Sequence, residues 1–414
     1  MPDIAWKYLP ASLRNNSERT AFLGLAGCVS LVLVSIAASQ ILLAVAIAGY
    51  LGIVRRRQGP LPPGRSILLP LGAFMIWTLV AVFASPNIML GLAAAKKFYL
   101  LLLVALVPPI VRGRDKLTWT HHAVFAVAAV SALQGLAQLV AHPHRDLLHR
   151  ISGFMSQWMT YSGLLMLVLV LLSAYGLCAG LRRHLWIIPL GILVVLALIF
   201  SQTRNAWMGA IAGIILLFAL RRPRAIAILL AAILVFYSLA PGAIRQRLRS
   251  GLDPADPNTR NRIEIFQTAL RLIRDNPWLG VGPKNVKYQA LRYRGHNEYP
   301  AWMYQHMHNN FLQIAAETGI PGLLLWLWFM IRLAWDALRC YRYASGRSFS
   351  GEEGLRTEAL TASSAALAAW VALLVAGMLE YNFGDSEVLT LFLFIMSAPY
   401  AFTIRRSETV SKVH

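Results

Sequence analysis

The chain has 414 residues, 57% of them hydrophobic and only 14% charged, with a mean hydropathy of +0.56. A water-soluble chain of this length needs far more polar surface, and the alternating segments of a membrane β-barrel are absent, which leaves an all-α polytopic integral membrane protein. The formal net charge of +21 reads as loop charge that sets topology and meets anionic lipid; membrane lipids are expected partners and nucleic acid is not. Cys28, Cys178 and Cys340 lie in or beside apolar runs and form neither a disulfide framework nor a metal-ligand spacing. No cleavable signal pattern is expected at the N-terminus, where the first apolar run passes straight into a second.

Apolar runs of membrane-spanning length predict about 12 transmembrane helices, at 20–36, 38–54, 66–84, 94–111, 121–140, 160–180, 185–201, 206–220, 224–240, 318–337, 360–380 and 388–404. The first two adjoin around Ser39-Gln40, as a hairpin would. With a cytoplasmic N-terminus, 23 of the 39 Lys and Arg residues fall on the cytoplasmic side and five (Lys96, Lys97, Arg145, Arg150, Arg204) in short outer loops, the other 11 lying in one long outer loop. The positive-inside bias therefore puts both termini in the cytoplasm. Three regions follow: helices one to nine over 1–240, a periplasmic loop domain over 241–308, and a re-entrant short helix with the last three spans over 309–414.

The long loop carries its own pattern. Asp256-Pro257 reads as an N-cap with proline at the first helical position. Ile263, Phe266, Leu270 and Ile273 recur at helical spacing, which fits an amphipathic helix on the outer bilayer surface. Asn276-Pro277 ends that helix and Gly280-Val281-Gly282-Pro283 makes a turn.

The stretch His308-Asn309-Asn310-Phe311-Leu312-Gln313-Ile314-Ala315-Ala316-Glu317-Thr318-Gly319-Ile320-Pro321-Gly322 is a polar island at the entrance to an apolar run. Gly319 is placed to end a short helix and Pro321 to start the next. His308 thus sits at the positive end of a helix dipole, which favours the neutral imidazole that a general base requires; a capping or interfacial histidine has the same spacing. Arg204 is a lone charge in a short outer turn, where it faces either a polar cavity or lipid headgroups. Arg262 begins the loop helix, which also holds Arg260, Arg271 and Arg274, and guanidinium forks suit phosphate oxygens. His306-x-His308 and His142-x-His144 are too short to define a metal site, Asp385-x-Glu387 is a weak one, and no metal or cofactor is expected. There is no phosphate-binding Gly-x-x-x-x-Gly-Lys loop.

Taken together, Ser201-Gln202-Thr203-Arg204, the pair Arg262-Ile263-Glu264-Ile265-Phe266 and Asp275-Asn276-Pro277-Trp278-Leu279-Gly280-Val281-Gly282, and the stretch from His308 to Gly322 resemble the O-antigen ligase/polymerase superfamily of bacterial envelope glycosyltransferases. The resemblance covers roughly 200–335; the family usually has Trp where Phe266 stands, and the N-terminal third matches only in hydropathy. It implies a GT-C-like fold in the bacterial inner membrane with its active site facing the periplasm. It also implies transfer of a glycan in one block from undecaprenyl pyrophosphate to an acceptor hydroxyl. Arg204 and Arg262 would hold the pyrophosphate, and His308 would take the acceptor proton with inversion. Asp385 or Glu380 would orient it, with Asn309, Asn310 and Arg260 in support.

The physical chemistry agrees, because a departing pyrophosphate gains negative charge that something cationic must meet, and arginines can do so where no metal site is evident. Lipid A–core oligosaccharide is the acceptor in ligases and a second lipid-linked glycan in polymerases. Ligase is the favoured expectation, with polymerase as the alternative; protein O-glycosylases usually run longer. A lipid-linked glycan transporter would show inverted repeats and ionisable residues near mid-membrane, whereas the charges of interest here cluster at one face.

Overall fold

The computed structural model describes residues 15–55, 65–112, 115–141, 150–239, 256–295, 301–346 and 352–402, with Leu13, Phe349 and isolated positions between 242 and 253. Among the loop charges, Lys7, Arg14, Arg56, Arg57, Arg114, Arg145, Arg347, Arg405, Arg406 and Lys412 lie outside the described residues, as do His142 and His144. All regular structure among the described residues is helical. Eight helices are long and apolar enough to cross a membrane, and three shorter apolar ones lie at 187–200, 223–239 and 386–402. The chain is an all-α polytopic membrane protein.

The first hairpin is α1 (Asn16–Leu31) and α2 (Ile36–Arg55). α1 begins four residues ahead of the apolar run because Asn15 caps it, its side chain accepting the Glu18 N–H at 2.9 Å. α3 (Arg65–Phe83) follows. The expected fourth span starts earlier and is broken into α4 (Ile88–Ala95), α5 (Phe98–Leu101) and α6 (Leu103–Val111), the first break falling at Lys96-Lys97. Then come α7 (Lys116–Ala141), α8 (Trp158–Ala179), α9 (Ile187–Phe200), α10 (Arg204–Arg221) and α11 (Ile226–Leu239). The loop helix is α12 (Pro257–Asp275), followed by the single turn α13 (Val286–Gln289), α14 (Asn310–Ser345), α15 (Glu353–Ala376) and α16 (Ser386–Ser397).

The centre of the bundle is built on small residues. α15 presents Ala365, Ala368, Ala369 and Ala372 to its neighbours, all buried, and Gly209 and Gly213 of α10 meet the carbonyls of Ala372 and Ala368. In lipid, helices associate through such close backbone approach rather than through a hydrophobic drive. The loop region has a separate small core in which Ile265, Ala269 and Leu272 of α12 pack with Val281, Val286, Met303, Tyr304 and Met307. Of the expected stripe, Ile263, Phe266 and Leu270 point the other way and are 47–48% exposed, whereas Ile273 packs against this core, so α12 is apolar on two sides, one facing the core and one exposed.

Candidate active site

The kink in α14 assembles the site. Gly319 has φ +73°, which divides the helix into 310–318 and 320–345. Pro321 has no N–H, so the Glu317 carbonyl loses its helical partner; the Gly282 N–H replaces it at 2.9 Å. Val281 donates to the Ala316 carbonyl at 2.8 Å, and Ile320 donates in return to the Pro277 carbonyl at 2.7 Å. The Trp77 indole N–H reaches the Thr318 carbonyl at 2.9 Å. The groups freed by the kink are thus satisfied by the turn after α12. Gly280, at φ +63°, lies so close to Ala316 and Glu317 that a side chain would strike their backbone. The last residues of the loop-helix motif and the last residues of the His308 motif are therefore two halves of one joint, which fixes α12 over the start of α14.

At that start, Asn309 and Asn310 hold the connection between α15 and α16. Asn309 caps α14 by accepting the Leu312 N–H at 3.0 Å and donates to the Met378 carbonyl at 2.9 Å. Asn310 is wholly buried; its amide donates to Asn382 at 2.6 Å and accepts the Phe383 N–H at 3.0 Å, and its own N–H meets the Gly377 carbonyl at 2.7 Å. This brings Glu380 to His308, with Oε2 3.2 Å from Nδ1. Glu380 Oε1 lies 3.6 Å from His306 Nε2, and the two imidazoles are 4.1 Å apart. His306 Nδ1 accepts the His308 backbone N–H at 3.3 Å. His308 itself has φ +45°, a left-handed conformation for a residue with a side chain.

The electrostatics follow from this packing. Burial pushes the Glu380 carboxyl up, but the hydrogen bond from His308 and the two imidazoles outweigh it and hold it below the usual carboxylate range. Burial pulls His306 down to about 4, against the attraction of Glu380 and with the repulsion of His308. A carboxylate that accepts Nδ1–H leaves Nε2 of His308 as the acceptor, which is the arrangement of an oriented general base.

Three arginines act on one another through their charges. Arg204 is the first residue of α10, Arg262 lies on the inward side of α12, and Arg150 precedes α8. Burial and the repulsion of Arg204 lower the Arg262 guanidinium, while Glu380 raises it; burial and the charges of both Arg204 and Arg262 lower Arg150. The Arg150 guanidinium lies 5.1 Å over the Trp158 ring. Arg260 is exposed, two residues and so roughly half a turn from Arg262, and is not part of this group. Asp385 is also elsewhere: it accepts from Thr160 with one oxygen and caps α16 with the other, taking the N–H groups of Glu387 at 3.1 Å and Val388 at 3.2 Å. Of the two carboxylates expected to orient His308, the structure brings Glu380. The sequence alone does not single out His306 or Arg150 as site residues; the His-x-His spacing and an outer-loop arginine upstream of a tryptophan are their only signals. His306, His308 and Glu380 each offer one ligand atom, all within 4.8 Å of one another, but neighbouring Arg262 opposes a divalent cation there.

Residues 189–327 match the family model described as O-antigen ligase. Over that third of the chain the sequence is similar to the O-antigen ligase family. The matched segment contains Arg204, Arg262 and His308, and Glu380 lies beyond it. The chain is 32% identical over 172 residues to a Rickettsia felis protein named "Putative polysaccharide ligase", and 28% identical over 215 residues to a Rickettsia conorii protein of the same description. Those stretches take in 39% and 49% of this chain and 40% and 47% of the relatives, so the chain spans less than half the length of each.

Proposed function

We propose that the protein is an O-antigen ligase of the bacterial inner membrane, moving a glycan in one block from undecaprenyl pyrophosphate to a sugar hydroxyl of lipid A–core oligosaccharide. The observation that carries the reading is the His308–Glu380 pair set beside the arginine group. In the proposed step, His308 Nε2 takes the proton of the acceptor hydroxyl as its oxygen attacks the anomeric carbon. The bond from that carbon to the phosphate oxygen breaks with inversion, and its electron pair passes to the pyrophosphate, where Arg204 and Arg262 meet it. Glu380 holds the resulting imidazolium until solvent removes the proton.

Asn309 and Asn310 position Glu380, and Asp385 acts at one remove by fixing the start of α16. The α12 stripe of Ile263, Phe266 and Leu270 would lie in the outer leaflet, both termini being cytoplasmic and the loop 241–308 periplasmic, so that this helix covers the cavity as a lid. The remaining loop cations, Lys284 and Lys287 among them, would draw the anionic core of the acceptor.

The test is transfer in vitro by purified protein, with undecaprenyl-pyrophosphate glycan and lipid A–core as substrates. Glycan on lipid A–core with wild type and none with His308→Ala is the expected result. Longer lipid-linked chains without core product would make the protein a polymerase, and no product of either kind would return it to the transporter class.

A further inference from the structure

We propose, resting on the transfer reading above, that Gln313 and Glu317 are positioning residues for His308: they tie the peptide ahead of it to the turn after α12, so that the imidazole is aimed only while that turn is in place. Both belong to the polar stretch from His308 to Gly322, and neither has a part in the proton transfer itself. They stand four residues apart on the first section of α14, where such residues are neighbours. Gln313 Nε2 donates to Glu317 Oε1 at 2.9 Å, and Gln313 Oε1 accepts the Met307 N–H at 2.7 Å. Glu317 Oε1 accepts a second bond at 2.9 Å, from the backbone N–H of Lys284. These bonds form a series from the turn after α12 to the peptide between His306 and Met307.

The next peptide is held by the His306 ring, and the Asn309 side chain caps the helix beyond. The φ of His308, +45°, is therefore set from both sides. Met307, Gln313 and Glu317 are all buried, so water does not replace a lost bond, and a buried donor left unpaired is costly. The carboxylate also stands near the other half of the catalytic pair: Tyr381, whose N–H donates to Glu380 Oε1 at 3.0 Å, lines the same cavity of about 140 Å³ as Glu317. The turn is already fastened to α14 by backbone bonds from Val281, Gly282 and Ile320. What the side chains add is the extension from that joint to Met307, next to the base. A base misplaced by about 1 Å can lose up to a hundredfold in rate, while the groups that bind substrate stay where they were.

The experiment exchanges the two ends of the Gln313–Glu317 bond. The kcat and KM for undecaprenyl-pyrophosphate glycan are measured with lipid A–core in excess, together with the unfolding temperature in detergent. The proteins are wild type, Gln313→Leu, Gln313→Glu, and Gln313→Glu combined with Glu317→Gln. Gln313→Leu removes both of its bonds, and Gln313→Glu sets one carboxylate against another. Each is expected to lower kcat about tenfold or more and to leave KM within about twofold. In the exchanged pair the carboxylate at position 313 accepts the Met307 N–H, and the amide at 317 donates to it while accepting the Lys284 N–H. Every bond is remade, and kcat is expected to return to within about threefold of wild type. Gln313→Leu carries the test where the exchanged pair does not fold, and the exchanged pair carries it where Gln313→Leu does not. A lower unfolding temperature with kcat unchanged in Gln313→Leu, or a folded exchanged pair no more active than Gln313→Glu, would overturn the assignment. Wild type that forms no product would instead sink the transfer reading itself.

Discussion

His308 at φ +45° is a residue held against its own preference. A non-glycine residue there costs of order 1–3 kcal/mol, and the cost is sustained by the Asn309 cap, the bond of its N–H to His306 and the contact with Glu380. Strain and chemistry can be separated by substitution. His308→Ala and His308→Gly are both expected to abolish transfer, with the Gly variant unfolding at a higher temperature than the Ala variant, because glycine accepts positive φ without cost; a thermal scan in detergent decides it, and the reverse order would mean that the conformation is not strained. At the arginines the argument is about shape. Arg204→Lys and Arg262→Lys keep the charge and lose the two-pronged fork, so each is expected to lose at least about tenfold in kcat/KM, and full activity in both would reduce the site to simple charge. The pH profile follows from the buried histidine. Burial holds His306 neutral down to about 4. A folded value below the ordinary 6.5 means the folded site binds fewer protons than the unfolded chain, so stability falls as pH drops from 6.5 through 4. An unfolding temperature that does not fall between pH 6.5 and pH 4 would show that burial does not hold His306 neutral.

At the scale of elements, most of the helices were legible because apolar runs of membrane length are a strong signal. Asp256-Pro257, Asn276-Pro277, Gly319 and Pro321 also marked helix ends where the structure has them. What the sequence did not carry was the partner of each freed backbone group. Nothing local says that Val281 and Gly282 answer to Ala316 and Glu317, thirty-odd residues on, because that pairing is made by the fold and not by the pattern. The stripe on α12 was legible as amphipathic, but its second apolar side, Ile265, Ala269 and Leu272, was hidden by a period that two faces share. The joint yields its own prediction. Gly319→Ala introduces a side chain where φ is +73° and ψ 177°, a region essentially reserved for glycine, and where the Trp278 backbone already stands, at a cost of order 1–3 kcal/mol from the dihedral alone. Displacement of α12 follows, with Arg262 carried away from His308. The expected readout is a lower unfolding temperature together with loss of activity and faster proteolysis in 256–295; a variant with wild-type activity would show that the joint does not position the site.

For the whole molecule, the connections at 84–97, 150–160, 276–285, 308–310 and 377–386 meet, as the bonds from Lys97 to Gly384, Thr160 to Asp385, Asn285 to Asn87 and Asn310 to Asn382 record. His308, Arg204 and Arg262 were legible one by one. Their company came only from the family resemblance, which left the choice between Asp385 and Glu380 open, Glu380 lying 72 residues from His308, and Arg150 looked like one more loop charge. This convergence is also what distinguishes proton transfer from metal chemistry at His306, His308 and Glu380. The three ligand atoms are close enough for an ion, so distance does not decide the matter. Charge does: the Arg262 guanidinium acts on Glu380, so a divalent cation there would meet its repulsion and would compete with His308 Nδ1–H for the same carboxylate. The expected outcome is that transfer survives dialysis against a strong chelator and that elemental analysis finds far less than one zinc or manganese per chain. Loss of activity on chelation, restored by a divalent ion and absent in Glu380→Gln, would make these residues ligands and move the base elsewhere.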